Sequence, residues 1–147
     1  MDLFLEAINL AGCWAIIQTS SDRYPADSQF EHVYFIGKHP HQAIFEQCAV
    51  VIHHGGAGTT HAATRAGCPS VVVPFMDEQL FWARQLQALG LAGPPLPAKK
   101  ITPISLANGI KIILNSKTVL DKAKQVGFAM QNNDGVMKAI QLLEARF

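Results

Sequence analysis

The sequence is short of charge, of cysteine and of long apolar runs. Lys and Arg number 12 and Asp and Glu 11 in 147 residues, a net charge of +1. No basic block interleaves with aromatics, so nothing here has the electrostatic footprint of a nucleic-acid-binding surface. The three cysteines, Cys13, Cys48 and Cys68, are odd in number and form no CxxC pair. They fit neither a disulfide framework nor a thiolate zinc site, and the expectation is reduced, core-facing thiols. No apolar run approaches the roughly 18 residues of a membrane span. The opening residues, Met1 to Glu6, lack the basic start of a secretory signal. The expected location is cytoplasmic, with no transmembrane segment. Hydrophobic residues still make up 49%, enough for one ordinary core at this length. That excludes disorder and points to one domain over residues 1–147.

The apolar pattern alternates between two periods. Leu3, Ala7, Leu10 and Ala11 recur at helical spacing over residues 2–11, and Gly12 is a fitting stop. Continuous apolar runs at 14–17, 33–36, 49–52 and 71–73 read as strands buried on both faces, as in a parallel sheet. Residues 19–30 are polar and contain Pro25, so they read as a loop. Helices are expected over 40–47, 60–66 and 78–89. After the stiff Gly93-Pro94-Pro95-Leu96-Pro97 connector come three more, over 103–114, 117–130 and 135–146. Thr102 ahead of Pro103, and Asp134 ahead of Gly135, supply helix starts. Trp14 and Trp82 are assigned to the core. Strands alternating with helices imply an α/β fold: a Rossmann-like parallel sheet flanked by helices, with ligands bound beyond the carboxyl ends of the strands.

One such end carries His53-His54-Gly55-Gly56-Ala57-Gly58-Thr59-Thr60. Glycines let a backbone approach a bulky anion, and the helix that follows offers free amides and a partial positive charge. Thr59 and Thr60 add hydroxyls and His54 an imidazole. Together these make a diphosphate cradle; the plainer reading is a tight strand-to-helix turn. A dinucleotide fingerprint would need a third glycine near His61, and a Walker loop would need a Gly-Lys pair; neither is present. Asp77, Glu78 and Gln79 follow another strand, where they are placed to meet sugar hydroxyls; the plainer role is helix capping by Asp77. His39 and His41 flank Pro40 at a third strand end. They either line the same crevice near a base and ribose or are surface histidines. His53, His54 and His61 lack a carboxylate or cysteine to complete a zinc site, so no metal is expected.

The run from Val50 to Thr60 resembles the donor-binding signature of sterol and antibiotic glucosyltransferases. So do Arg65 to Phe75, Glu78 to Trp82, Leu89-Gly90 and the Gly-Pro-Pro that follows. The resemblance covers nearly the whole chain. It implies the C-terminal half of a GT-B fold, the half that binds the nucleotide-sugar donor, with no further cofactor. By that resemblance His54, Gly56, Gly58 and Thr59 hold the donor diphosphate. Glu78 and Gln79 stand where the family has Asp-Gln on the hexose hydroxyls. His39 and His41 fall in the loop that approaches base and ribose. Glu78 in place of Asp reaches about one methylene further, which leaves Asp77 as a second candidate contact. Plant members have a ribose-binding Glu where this chain has Ala62 and a stacking Trp near Lys38; both are absent here, as in the bacterial and sterol branches.

The family's C-terminal domain begins with a strand that has no counterpart here, so the strands at 14–17 and 49–52 are expected to lose a shared neighbour and expose their edges. None of the six histidines matches the family's catalytic base, which comes from the acceptor-binding N-terminal half. The expected partners are a nucleotide sugar and an acceptor-binding domain or subunit, with pairing between copies through exposed edges as a further form. The implied reaction moves a hexose from a UDP- or TDP-glucose type donor to an acceptor hydroxyl, such as that of a sterol or other lipophilic aglycone. The rivals are a nucleotide-sugar-binding module without turnover and a nicotinamide-dependent enzyme.

Overall fold

In a computed structural model, which describes residues 1–19 and 31–146, the first half of the chain runs α1 (Asp2–Ala11), β1 (Ala15–Gln18), β2 (Val33–Ile36), α2 (His41–Phe45), β3 (Val51–His53), α3 (Ala57–Arg65), β4 (Ser70–Val72) and α4 (Asp77–Ala88). The second half is helical, with α5 (Pro103–Leu114), α6 (Lys117–Gln131) and α7 (Gly135–Glu144). The loop expected over 19–30 lies, apart from Thr19, outside the described residues. The other expected elements are all present, with bounds moved by one to three residues where they move at all. Gly12 closes α1 at φ 69°, the left-handed conformation that glycine reaches without strain. Thr102 and Ser105 form a reciprocal capping box that fixes the start of α5. Asp134 accepts from the amides of Val136 and Met137 at the start of α7.

Among the described residues the strands form two separate parallel pairs. β1 lies beside β2 with Ala15 opposite Val33, and β3 lies beside β4 with Val51 opposite Ser70. β1 and β3 do not pair with each other, as expected. A core of Ala7, Val71, Val73, Leu106, Ile110 and Ile113 joins α1 and α5 to the β3–β4 pair. Leu5 and Ile8, on another face of α1, pack with Val33 on the β1–β2 pair. α1 therefore connects the two pairs although no strand does.

α6 holds α3 from behind. A Cβ built on Gly127 would stand 2.5 Å from the Cα of Gly67, so the two backbones touch where glycines meet. Arg65 Nη1 donates to the Met130 carbonyl at 2.7 Å, and Gln131 Nε2 donates to the Arg65 carbonyl at 2.8 Å. These contacts anchor the C-terminal end of α3 and leave its N-terminal end open. Trp14 is a correction to the core assignment. It is 65% exposed and stacks on Tyr34 instead, because it shares with Ile16 and Tyr34 the uncovered face of the β1–β2 pair. Trp82 is half-buried, edge-on to Phe81.

Candidate functional site

The carboxyl end of β3 runs into the turn that starts α3. The helix begins at Ala57, three residues ahead of the expected start, because Gly56 takes the N-cap conformation (φ −63°, ψ 144°) and Thr60 N donates to the Gly56 carbonyl at 2.9 Å. That is the first bond of the helical ladder, so the amides of Ala57, Gly58 and Thr59 lie ahead of it. No side chain caps this end. Ala57 and Gly58 are exposed and Thr59 is half-buried.

Three features fix the turn. Gly55 has φ +90°, and a Cβ there would stand 2.8 Å from both the Gln79 carbonyl oxygen and Val72 Cγ1, so only glycine fits. A Cβ on Gly56 would stand 2.4 Å from His54 Nε2, which places the His54 ring directly over Gly56. His53, which the sequence reading weighed only as a zinc ligand, is buried inside the turn. Its Nδ1 accepts from the Gly55 amide at 3.0 Å. Its Nε2, which then carries the proton, donates to Ser70 Oγ at 3.0 Å. Burial first, and then the neighbouring His54 and His41, push its pKa down to about 4, so the ring is neutral at neutral pH. The signal for His53 was its place two residues after buried Val51, on the same side of the strand.

Thr60 is placed differently from the expectation that grouped it with Thr59. It is 5% exposed, its Oγ1 is buried with no hydrogen-bond partner, and its amide is already in the helix ladder. The extra turn of helix directs it inward, so its hydroxyl is not offered to a ligand at the open end.

Asp77 and Glu78 are exposed in the first turn of α4. The N-cap is Met76, so the capping role weighed for Asp77 is not the one it takes. Gln79 Oε1 accepts from the Phe75 amide at 2.7 Å, and the Gln79 carbonyl underlies Gly55. The start of α4 thus abuts the turn ahead of α3 through Gln79, with exposed Glu78 next to it in the chain. His41 opens α2, stacks on Phe45 at 5.0 Å between ring centroids, and lines the same cavity as His53, His54 and Thr59. His39 is not brought to that cavity's wall; its Nδ1 lies 3.2 Å from the Gly37 carbonyl on an exposed bend. Among the described residues no group of three or more His, Cys, Asp or Glu is placed to hold a metal ion. No described helix is long and apolar enough to cross a membrane.

Open first-turn amides beyond the carboxyl end of a parallel strand, with an imidazole over a glycine beside them, are the arrangement at which α/β domains generally receive anions. Comparison with known proteins gives that class its family. Residues 16–141 match the model of the erythromycin biosynthesis protein CIII-like C-terminal domain, and the chain belongs to that family. A sterol 3-beta-glucosyltransferase of Arabidopsis thaliana is 36% identical over 110 residues, which cover 75% of this chain and 18% of that protein. The Kluyveromyces lactis sterol 3-beta-glucosyltransferase is 33% identical over 147 residues, 95% of this chain and 12% of that protein. Among solved structures, a Streptomyces sp. SF2575 glycosyltransferase complexed with thymidine diphosphate superposes with a TM-score of 0.78 at 29% identity, covering 98% of this chain and 36% of that one. The glycosyltransferase of kitacinnamycin, at 20% identity and a TM-score of 0.83, shares the fold over 100% of this chain and 40% of its own. The chain is thus a GT-B C-terminal domain of the sterol-glucosyltransferase and antibiotic-glycosyltransferase type. It spans less than a fifth of the length of these curated relatives.

Proposed function

We propose that this domain binds the nucleoside diphosphate of a hexose donor at the start of α3, and that it works with an acceptor-binding half to move the hexose to a hydroxyl of a lipophilic aglycone such as a sterol. The observation that carries this is the row of uncapped amides at Ala57, Gly58 and Thr59, with the His54 ring over Gly56 beside them. Amides at a helix start stabilise a phosphate already in the ground state, and more strongly as charge builds on the departing diphosphate. Glu78 or Asp77, with Gln79, meets the hexose hydroxyls, and His41 lies toward the base and ribose. The thymidine diphosphate held by the Streptomyces relative supports a diphosphate ligand for this chain as well.

His53 is not the base that takes the acceptor proton, because both its ring nitrogens are engaged within the turn. That base is assigned to the acceptor-binding half, and no metal or cofactor is assigned to the reaction. Calorimetric titration of the chain with UDP, TDP and their glucose esters tests the binding step. His54→Ala is expected to weaken nucleoside diphosphate binding about tenfold or more, the usual scale of a hydrogen bond to a charged group. An unchanged dissociation constant would remove His54 from the site. Transfer that appears only after mixing with an acceptor-binding half would establish the enzyme subunit; binding without transfer would favour a module without turnover.

A further inference from the structure

Two of the three thiols meet at the amino ends of β3 and β4. Cys48 lies in the turn from α2 into β3, and Cys68 in the turn from α3 into β4. The strands are neighbours with Val51 opposite Ser70, and Val51 N donates to the Pro69 carbonyl at 2.9 Å. That bond sets the two turns side by side. Cys68 Sγ donates to the Cys48 carbonyl at 3.2 Å, across 20 residues of chain. Cys48 Sγ donates to the Ile44 carbonyl at 3.3 Å, back along α2. Both side chains pack in one apolar cluster with Val51, Ala63, Phe45 and Ala66. Cys68 is 4% exposed and Cys48 half-buried, and both are free thiols. Burial raises both pKa values, and the neighbouring Cys48 sulfur adds to it for Cys68, which is pushed up to about 12. Each thiol therefore keeps the proton it donates. Cys13 packs elsewhere, in the clusters around α1.

We propose that Cys48 and Cys68 are a redox pair: a peroxide joins them in a disulfide that closes the β3–α3–β4 crossover, and a dithiol reopens it. A thiol that touches the other cysteine's carbonyl has the close backbone approach a disulfide requires. The Cys48 side chain has only to turn from the Ile44 carbonyl toward Cys68. Cys48 is the more accessible and reacts first. It attacks one oxygen of hydrogen peroxide, the O–O bond breaks, and a sulfenic acid and one water result. Cys68 then attacks Cys48 Sγ. The S–S bond forms, the S–O bond breaks, and the hydroxide leaves as a second water with the Cys68 proton. Two thiols have given two electrons to the peroxide. The link encloses β3, the glycine turn and α3, and ties the far end of α3 to the amino end of β3. A closed loop of this kind restricts the unfolded chain. The same turn of Cys48 releases the Ile44 carbonyl at the end of α2.

The test treats the 147-residue chain with hydrogen peroxide in mildly alkaline buffer, blocks the remaining thiols with iodoacetamide, and digests with trypsin without reduction. Cleavage after Lys38, Arg65 and Arg84 leaves Cys48 in residues 39–65 and Cys68 in residues 66–84, so mass spectrometry reads the link as two joined peptides. The expected product is that pair, from a monomer, with Cys13 still free and with dithiothreitol restoring both peptides. In Cys68→Ser, Cys48 is expected to stop at the sulfenic acid, trapped by dimedone. Amide exchange in α3, followed by NMR, should slow by about tenfold or more in the oxidised chain. Both thiols staying free would overturn the proposal, as would a link made by Cys13 or a second chain, or one formed only in urea. So would passage of wild-type Cys48 to the sulfinic acid, or exchange in α3 no slower after oxidation.

Discussion

Acidification should destabilise this domain through His53 in particular. In the folded chain its pKa is about 4 against an ordinary 6.5. Between those values the unfolded chain binds the proton and the folded one does not, so stability falls as pH drops through this window. The full difference of roughly 2.5 units corresponds to about 3 kcal/mol, reached once both states are protonated. At pH 5 about 2 kcal/mol of it is already lost. The cause is geometric: protonation would turn Nδ1 from an acceptor into a donor facing the Gly55 amide, in a buried position. The assay is urea unfolding of the wild-type chain and His53→Gln at half-unit steps from pH 7 to pH 4. Carboxylates and the other five histidines are common to both chains, so the difference between the two isolates this ring. The variant is expected to be less stable at pH 7, and its deficit to shrink by about 2 kcal/mol by pH 5. A deficit that stays constant with pH would refute the reasoning, as would an NMR titration of His53 in the folded wild type with a midpoint near 6.5.

Glycine substitutions separate the roles of the turn. Gly55→Ala, with φ +90° and a carbonyl 2.8 Å from the new Cβ, should cost about 1–3 kcal/mol or more in urea unfolding. Gly58→Ala meets open space, so its stability should hold or rise by up to about 1 kcal/mol, while TDP affinity measured by calorimetry falls if the diphosphate lies against that turn. Gly127→Ala would push α6 off Gly67 and should lower stability by about 1–3 kcal/mol; an unchanged midpoint would mean that α6 yields without loss.

Most elements were legible because side chains mark them. Leu3, Ala7 and Ala11 show the buried face of α1, and Thr102 with Pro103 marks the start of α5 as plainly as the capping box confirms it. The first turn of α3 was not legible, because Ala57, Gly58 and Thr59 bury no apolar stripe and the turn is defined by backbone bonds alone. Placing the helix three residues late put Thr60 at the mouth when its hydroxyl is inside. Trp14 failed for another reason: its type argues for burial, but its exposure depends on which face of the β1–β2 pair other elements cover, a property of tertiary packing. His53 was hidden because a histidine in a row of polar residues reads as ligand before it reads as core. The chemistry-bearing segments were found by their position after strands, and the contact between Gly55 and the Gln79 carbonyl explains why two of them meet.

That contact bears on how a diphosphate would be held. Amides that must be gathered when a ligand arrives lose binding energy to ordering; amides fixed beforehand do not. Here the ordering is done during folding. The Gln79 carbonyl and Val72 sit against Gly55 from outside, and His53 holds the Gly55 amide from inside. Ser70 on β4 fixes the His53 ring in turn, and Arg65 and Gln131 tie the far end of α3 to α6. The open amides therefore stand on a frame built from β3, β4, α4 and α6. His41, on α2, and His54 flank that frame on the wall of one cavity. In calorimetric titrations the affinity shared by UDP and TDP should therefore persist, weakened, in both His54→Ala and His41→Ala; complete loss in either variant would refute a diphosphate held by the helix-start amides.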